Sequence, residues 1–130
     1  MIPDAEPTHP NLLTIERFLG AYSRRDRAGM QDMATLDVQW RFPGPPPLGG
    51  QWHGVDGIMA FLDAICALGL QERSHVRGVS DEFVVECKET VRDGGSGMLW
   101  CVLWAFRGGR ISAGTHLTAE PDRVRDPARW

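Results

Sequence analysis

The chain has 130 residues, a formal net charge of −3, and is 42% hydrophobic and 24% charged. That is enough for one domain with a single modest core. It carries no basic stripe of the kind nucleic-acid binders use, and no apolar run near the ~20 residues of a membrane span, so neither nucleic acid nor a membrane is expected as a partner.

The start, MIPDAEPTHP, has acids and prolines where a signal peptide needs a basic end and an apolar run. Residues 1–10 are therefore expected to be a short flexible arm of a cytoplasmic protein. In NLLTIERFLGAYSRRD, Leu12, Ile15, Leu19 and Tyr22 recur at helical spacing, with Pro10 suited to the first turn. DRAGMQDMATL reads as a second, short helix, capped by Asp26, with Met30, Met33 and Ala34 as its apolar stripe. The basic cluster RRDR, Arg24 to Arg27, fits a solvated turn between the two. DVQWRF is a short strand stopped by PGPPP, whose prolines offer a sheet no donors. LGGQWHG reads as a turn-rich crossing. VDGIMAFLDAICALGL is a third helix, with Asp56 as its expected cap, and apolar over most of its circumference.

Strands follow: SHVRGV, EFVVECKETVR, GMLWCVLWAF and RISAGTHLTA, linked by RDGGSG and RGGR as a meander. The tail, residues 120–130, is charged and aperiodic. Helices followed by a long antiparallel sheet define an α+β fold with helices on one sheet face, a single domain over residues 11–119. Cys66, Cys87 and Cys101 form no CxxC and are odd in number, which suits buried reduced thiols. The four histidines lack metal-ligand spacing, so no metal is expected.

A four-residue loop at Asp93–Ser96 would pair Arg92 with Gly97 and Glu89 with Trp100. Glu89 would then face inward beside Met98, Trp100, Val102, Trp104 and Phe106, while Val84, Glu86, Lys88 and Thr90 would face outward. At FRGGRI two registers are open. A two-residue turn puts Ile111 opposite Phe106 and His116 outward; a three-residue turn with a bulge puts His116 inward.

The stretches AYSRRDRAGM, DVQWRFPG, GQWHGVDGIMAFL and FRGGRI resemble the SnoaL-like group of the nuclear transport factor 2 and ketosteroid isomerase superfamily. The resemblance implies a cone-shaped NTF2-like fold: a curved, mainly antiparallel sheet wrapped around three helices, with an apolar pocket at the open end. It implies homodimers through the outer sheet face, here the row Leu99, Cys101, Leu103 and Ala105. It also implies cofactor-free acid–base chemistry on a small apolar or aromatic molecule, of polyketide cyclase, isomerase, dehydratase or epoxide hydrolase type. The alternative is a non-catalytic ligand-binding or dimerisation module.

The polar groups of ketosteroid isomerases fall on Phe18, Phe42 and Val102, so that apparatus is absent. The two aspartates of limonene epoxide hydrolases fall on His116 and near Glu89, the arginine near Cys87, and the water-holding pair near Gln39 and Arg41. Glu89 and His116 are thus the expected catalytic pair: a carboxyl with a pKa raised by desolvation against Trp100, and a histidine as its proton partner. The plain alternatives are a strand-end glutamate reaching solvent and an ordinary sheet histidine. Trp40, Phe42, Trp100, Val102, Trp104 and Phe18 are the expected ligand-binding wall, although core packing would account for them equally well. Trp40 and Phe42 alternate with Gln39 and Arg41, so only one of these sets faces in; Arg41 is the candidate for an anionic or carbonyl group.

Overall fold

The computed structural model describes residues 8–130, so residues 1–7 of the expected arm lie outside the described residues. Helix α1 spans Pro10–Ser23 and is capped by the His9 ring, which accepts from the Asn11 N–H at 3.1 Å. The Asn11 side chain is buried and donates to the carbonyls of Ser80 and Asp81 at 2.9 and 3.0 Å, tying the helix to a distant turn. Helix α2 is the short Arg27–Asp32, with Asp26 accepting from the Gly29 N–H at 2.9 Å as a cap should.

Strand β1 begins at Ala34, earlier than expected, and runs to Phe42. The expected turn-rich crossing contains an unexpected sixth strand: Gly50–His53 is β2, an edge strand antiparallel to β1. Helix α3, Gly54–Cys66, follows directly, with Asp56 inside its first turn rather than at its cap. It buries Val55, Ile58 and Phe61 and leaves Leu62 and Ile65 half-covered. Strands β3 (Gln71–Val79), β4 (Phe83–Val91), β5 (Met98–Arg107) and β6 (Arg110–Thr118) form the meander.

The six strands lie in the order β2-β1-β6-β5-β4-β3, a curved, unclosed sheet in which only β1 and β6 run parallel. All three helices pack on its concave face, so the α+β expectation holds. The core is unusually aromatic: Phe18, Trp40, Phe42, Phe61, Trp100, Trp104 and Trp130 are all buried within it.

Two register details position the site. Between β4 and β5 the pairs are Thr90↔Met98, Glu89↔Leu99 and Lys88↔Trp100, one residue away from the expected pairing. Gly94 and Gly97 sit in the left-handed region at φ 76° and 77°, and the connection they shape returns the chain one residue out of the expected register. Because side chains alternate, the slip reverses every residue of β4. Val84, Glu86, Lys88 and Thr90 face the helices, and Phe83, Val85, Cys87 and Glu89 face away.

At the last hairpin the two open registers merge. Gly108 and Gly109, at φ 60° and 77°, form a two-residue turn, with Phe106 opposite Ile111. A bulge then leaves Ser112 unpaired, so that Ala105 meets Ala113 and Val102 meets His116. His116 therefore points inward despite the tight turn.

The tail also departs from expectation. Residues 121–130 form two 3-10 turns that fold back on the domain and bury Val124 and Trp130. The cysteines are free but not buried: Cys66 and Cys101 are exposed and Cys87 is half-buried. No helix among the described residues is long and apolar enough to cross a membrane.

Candidate functional site

Inside the sheet's curve a cavity of about 60 Å³ lies between the sheet and helices α1 and α3. Its walls are aromatic and aliphatic, with Phe18, Trp40, Phe61 and Trp104 prominent, and its polar lining comes from Glu72, Lys88 and His116.

His116 is the centre of an aromatic cage. Its ring lies 5.0 Å from Phe42, 5.5 Å from Trp100, 5.6 Å from Trp40 and 5.8 Å from Phe61, centroid to centroid. The Trp40 indole N–H donates to its Nδ1 at 2.9 Å. Burial, and secondarily the Lys88 charge, pushes its pKa down to about 3. The imidazole is therefore neutral. Since Nδ1 is an acceptor, the proton sits on Nε2, and no group among the described residues accepts from it. Trp40 takes up this position because β6 carries Gly114 opposite it: a Cβ there would come within 1.9 Å of the indole ring.

The second polar element is a charge network on β3 and β4. Glu86 is 1% exposed. It accepts from the Trp104 indole N–H at 2.8 Å, from the Arg77 guanidinium at 2.9 Å and from the Ser74 hydroxyl at 3.3 Å. Lys88 Nζ lies 3.8 Å from Glu86 and 3.6 Å from Glu72. Its side chain is 14% exposed, and that of Glu72 is 42% exposed, at the cavity's rim.

The far side of His116 is closed by the tail. Trp130 packs edge-on against Trp100 at 5.3 Å and tilted against Phe42 at 6.2 Å, leaving a gap of only about 10 Å³. Its indole donates to the Arg123 carbonyl at 2.8 Å, and Arg92 donates to the carbonyls of Pro127 and Ala128.

The expected site residues divide accordingly. Trp40, Phe42, Trp100, Val102, Trp104 and Phe18 are all buried in one cluster; of these Phe18, Trp40 and Trp104 line the cavity, Phe42 and Trp100 line the gap beside Trp130, and Val102 is the cross-strand neighbour of His116. Arg41 is on the exposed face of β1, because Trp40 and Phe42 take the inward positions. Glu89 is on the outer sheet face, where it meets His75 at 3.3 Å. The Glu89–His116 pair is thus divided by the sheet, and the carboxylates near the cavity are Glu86 and Glu72. Sequence reading missed Lys88, Glu72, Glu86 and Trp130. One signal was available: Lys88 is the only lysine in the chain. No three His, Cys, Asp or Glu side chains among the described residues converge to hold a metal ion.

An open curved sheet holding three helices, with an aromatic cavity walled by a few polar groups, defines a protein of the NTF2-like class. A model of the SnoaL-like domain matches residues 15–114, and the chain belongs to that family. Solved structures share the fold. An NTF2-like protein of unknown function from Burkholderia pseudomallei is 21% identical, with a TM-score of 0.67 over 90% of this chain and 96% of that one. Bal32a, from a soil-derived mobile gene cassette, is 19% identical, with a TM-score of 0.69 over 92% and 97%. TerC, crystallised with polyporic acid, is 23% identical, with a TM-score of 0.64 over 85% and 92%. No match was found among curated proteins.

Proposed function

We propose that the cavity binds a small molecule with an apolar or aromatic body and one carbonyl or enol oxygen, and that the oxygen is held by Lys88 and the His116 Nε2–H. The observation that carries this reading is the Trp40–His116 hydrogen bond, which fixes a neutral imidazole as a donor beside a cation in a largely apolar cavity. Such a pair stabilises negative charge developing on a carbonyl oxygen during enolisation. Glu72, at the rim, is the group placed to take the proton. The chemistry would be cofactor-free and of isomerase or cyclase type. TerC, a neighbour in fold, was crystallised with polyporic acid, which lends support to an aromatic ligand.

The test uses 1-indanone and its oxygen-free counterpart indane, followed by tryptophan fluorescence. The ketone should bind roughly tenfold or more tightly, the scale of a hydrogen bond to a charged group, and Lys88→Met should narrow that gap. Equal affinity for the two would sink the reading. Deuterium exchange at the ketone's α-carbon in D2O, followed by NMR, then separates turnover from binding. A second reading, binding without turnover, is favoured by the small cavity, which admits the reacting end of such a molecule and little more.

We also propose a homodimer through the outer sheet face. Leu99 is 52% exposed there, alongside exposed Val76, Phe83, Val85, Cys101 and Leu117. A patch of that kind is rare on a monomer. Light scattering should give twice the chain mass, and Leu99→Glu should halve it; a monomeric wild type would refute the assembly.

A further inference from the structure

Of the 14 lysine and arginine residues in this chain, 13 are arginine, and the single lysine is Lys88. The two side chains differ in one chemical respect that matters here. A guanidinium does not lose its proton in a protein, whereas a lysine can become a neutral, nucleophilic amine. A wall needing only positive charge opposite Glu86 is already served by Arg77 at 2.9 Å. The chain nevertheless places its one primary side-chain amine in the wall of the cavity that Trp104 and His116 also line.

The surroundings suit an amine that reacts. Nζ is 3.6 Å from Glu72 and 3.8 Å from Glu86, beyond ordinary hydrogen-bond length to either. It is held in place without being fully engaged. Glu86 is occupied by Arg77, Trp104 and Ser74, so the carboxylate left to exchange protons with Lys88 is Glu72. His116 offers its Nε2–H on the same cavity wall.

We propose that Lys88 is a Schiff-base lysine, forming an imine with aldehydes or unhindered ketones that enter the cavity. The Lys88 ammonium gives one proton to Glu72. The freed amine attacks the carbonyl carbon; a C–N bond forms and the carbonyl π pair moves to oxygen, where the His116 N–H steadies it. One N–H proton passes to that oxygen, giving a carbinolamine. Glu72 returns its proton to the hydroxyl, the C–O bond breaks, and water leaves. The product is an iminium that keeps the last N–H and the positive charge. The charge facing Glu72 and Glu86 is therefore the same before and after, so the buried network needs no rearrangement. The iminium in turn acidifies the ligand's α-carbon. This inference rests on the ligand-binding reading of the cavity and deepens it, replacing a passive cation with a covalent one.

The test is reductive trapping on the intact chain. Benzaldehyde or butanal is added with sodium cyanoborohydride, and the product is weighed and peptide-mapped. The only other amine is the chain's α-amino group, so the site is unambiguous. Lys88 should be alkylated once, and roughly tenfold or more faster in the folded chain than in urea at the same pH, because the fold supplies the proton acceptor and the oxygen donor. Glu72→Gln should slow trapping without changing the melting temperature, since its side chain lies at the rim. Lys88→Arg should abolish it. A folded rate no higher than the urea rate overturns the proposal. If that happens while indanone still quenches fluorescence, the covalent step fails and the binding reading survives; if neither occurs, both fail.

Discussion

Lowering the pH from 6.5 to 5 should destabilise this protein by about 2 kcal/mol through one residue, His116. Its folded pKa of about 3 lies well below the 6.5 of an unfolded histidine. Between those values the unfolded chain binds a proton that the folded chain refuses. Stability therefore rises with pH across that window: it is undiminished above 6.5, falls as pH drops, and levels off near 3. The slope is at most about 1.4 kcal/mol per pH unit. The window from 6.5 to 5 is the informative one, because most carboxylates begin to titrate only below it. The assay is urea unfolding by tryptophan fluorescence at half-unit pH steps. His116→Asn serves as the comparison. Asn cannot titrate, so the variant should start weaker at pH 7, having lost the ring that packs against Phe42 and Trp100, yet show a flat profile down to pH 5. A wild-type profile equally flat, or a variant profile equally steep, would refute the assignment of a neutral, enclosed imidazole.

Trp130→Ala should cost about 3 kcal/mol in unfolding free energy, the scale of deleting a buried indole; it should also raise affinity for naphthyl ketones relative to indanone, by joining the gap beside His116 to the cavity. Unchanged selectivity in fluorescence titrations would mean that Trp130 is packing alone. Gly114→Ala should cost at least about 2 kcal/mol, because the new methyl overlaps the Trp40 ring and a packed core accommodates added volume poorly. Near-UV circular dichroism should show the displaced indole. Glu86→Leu should lower the denaturation midpoint, since it strands Arg77 and the Trp104 N–H; Glu86→Gln should cost less, because its amide oxygen still accepts from Trp104.

The fold was legible because its signals are periodic and local. Leu12, Ile15, Leu19 and Tyr22 mark α1, PGPPP stops β1, and glycine pairs punctuate the meander. The site was less legible because it depends on phase. The alternation of β5 was read correctly from Met98, Trp100, Val102, Trp104 and Phe106. Strand β4 has one mostly apolar face, Phe83, Val85, Cys87 and Val91 with Glu89, and one mostly polar face, Val84, Glu86, Lys88 and Thr90, and patterning alone turns the apolar face inward. The chain buries the other. The connection decides between them: Gly94 and Gly97 both take left-handed conformations, and nothing in GGSG announces which of its glycines will do so. The bulge at Ser112 posed the same problem on β6. Trp130 was hidden for a different reason: charged neighbours mask a lone tryptophan, and its partners Trp100 and Phe42 are far away in sequence.

The choice made in β4 bears on function. Slipping the strand by one residue would bury Phe83 and Val85 and return Glu86 and Lys88 to water. Exchanging a buried ion network for apolar side chains is commonly neutral or stabilising, so stability within one chain does not favour the observed register. Two things do. On the concave side, the register delivers the Lys88 amine to a cavity whose other polar groups are His116 of β6 and Glu72 of β3, and under the proposed function a ligand oxygen gives that amine a use. On the convex side, it gathers Val85, Leu99 and Leu117 into a face that water solvates poorly. A second copy covering that face would recover the burial that the inner surface gives up. The polar cavity wall and the apolar outer patch are then two consequences of one register, and the proposed dimer would offset the cost of the first by covering the second.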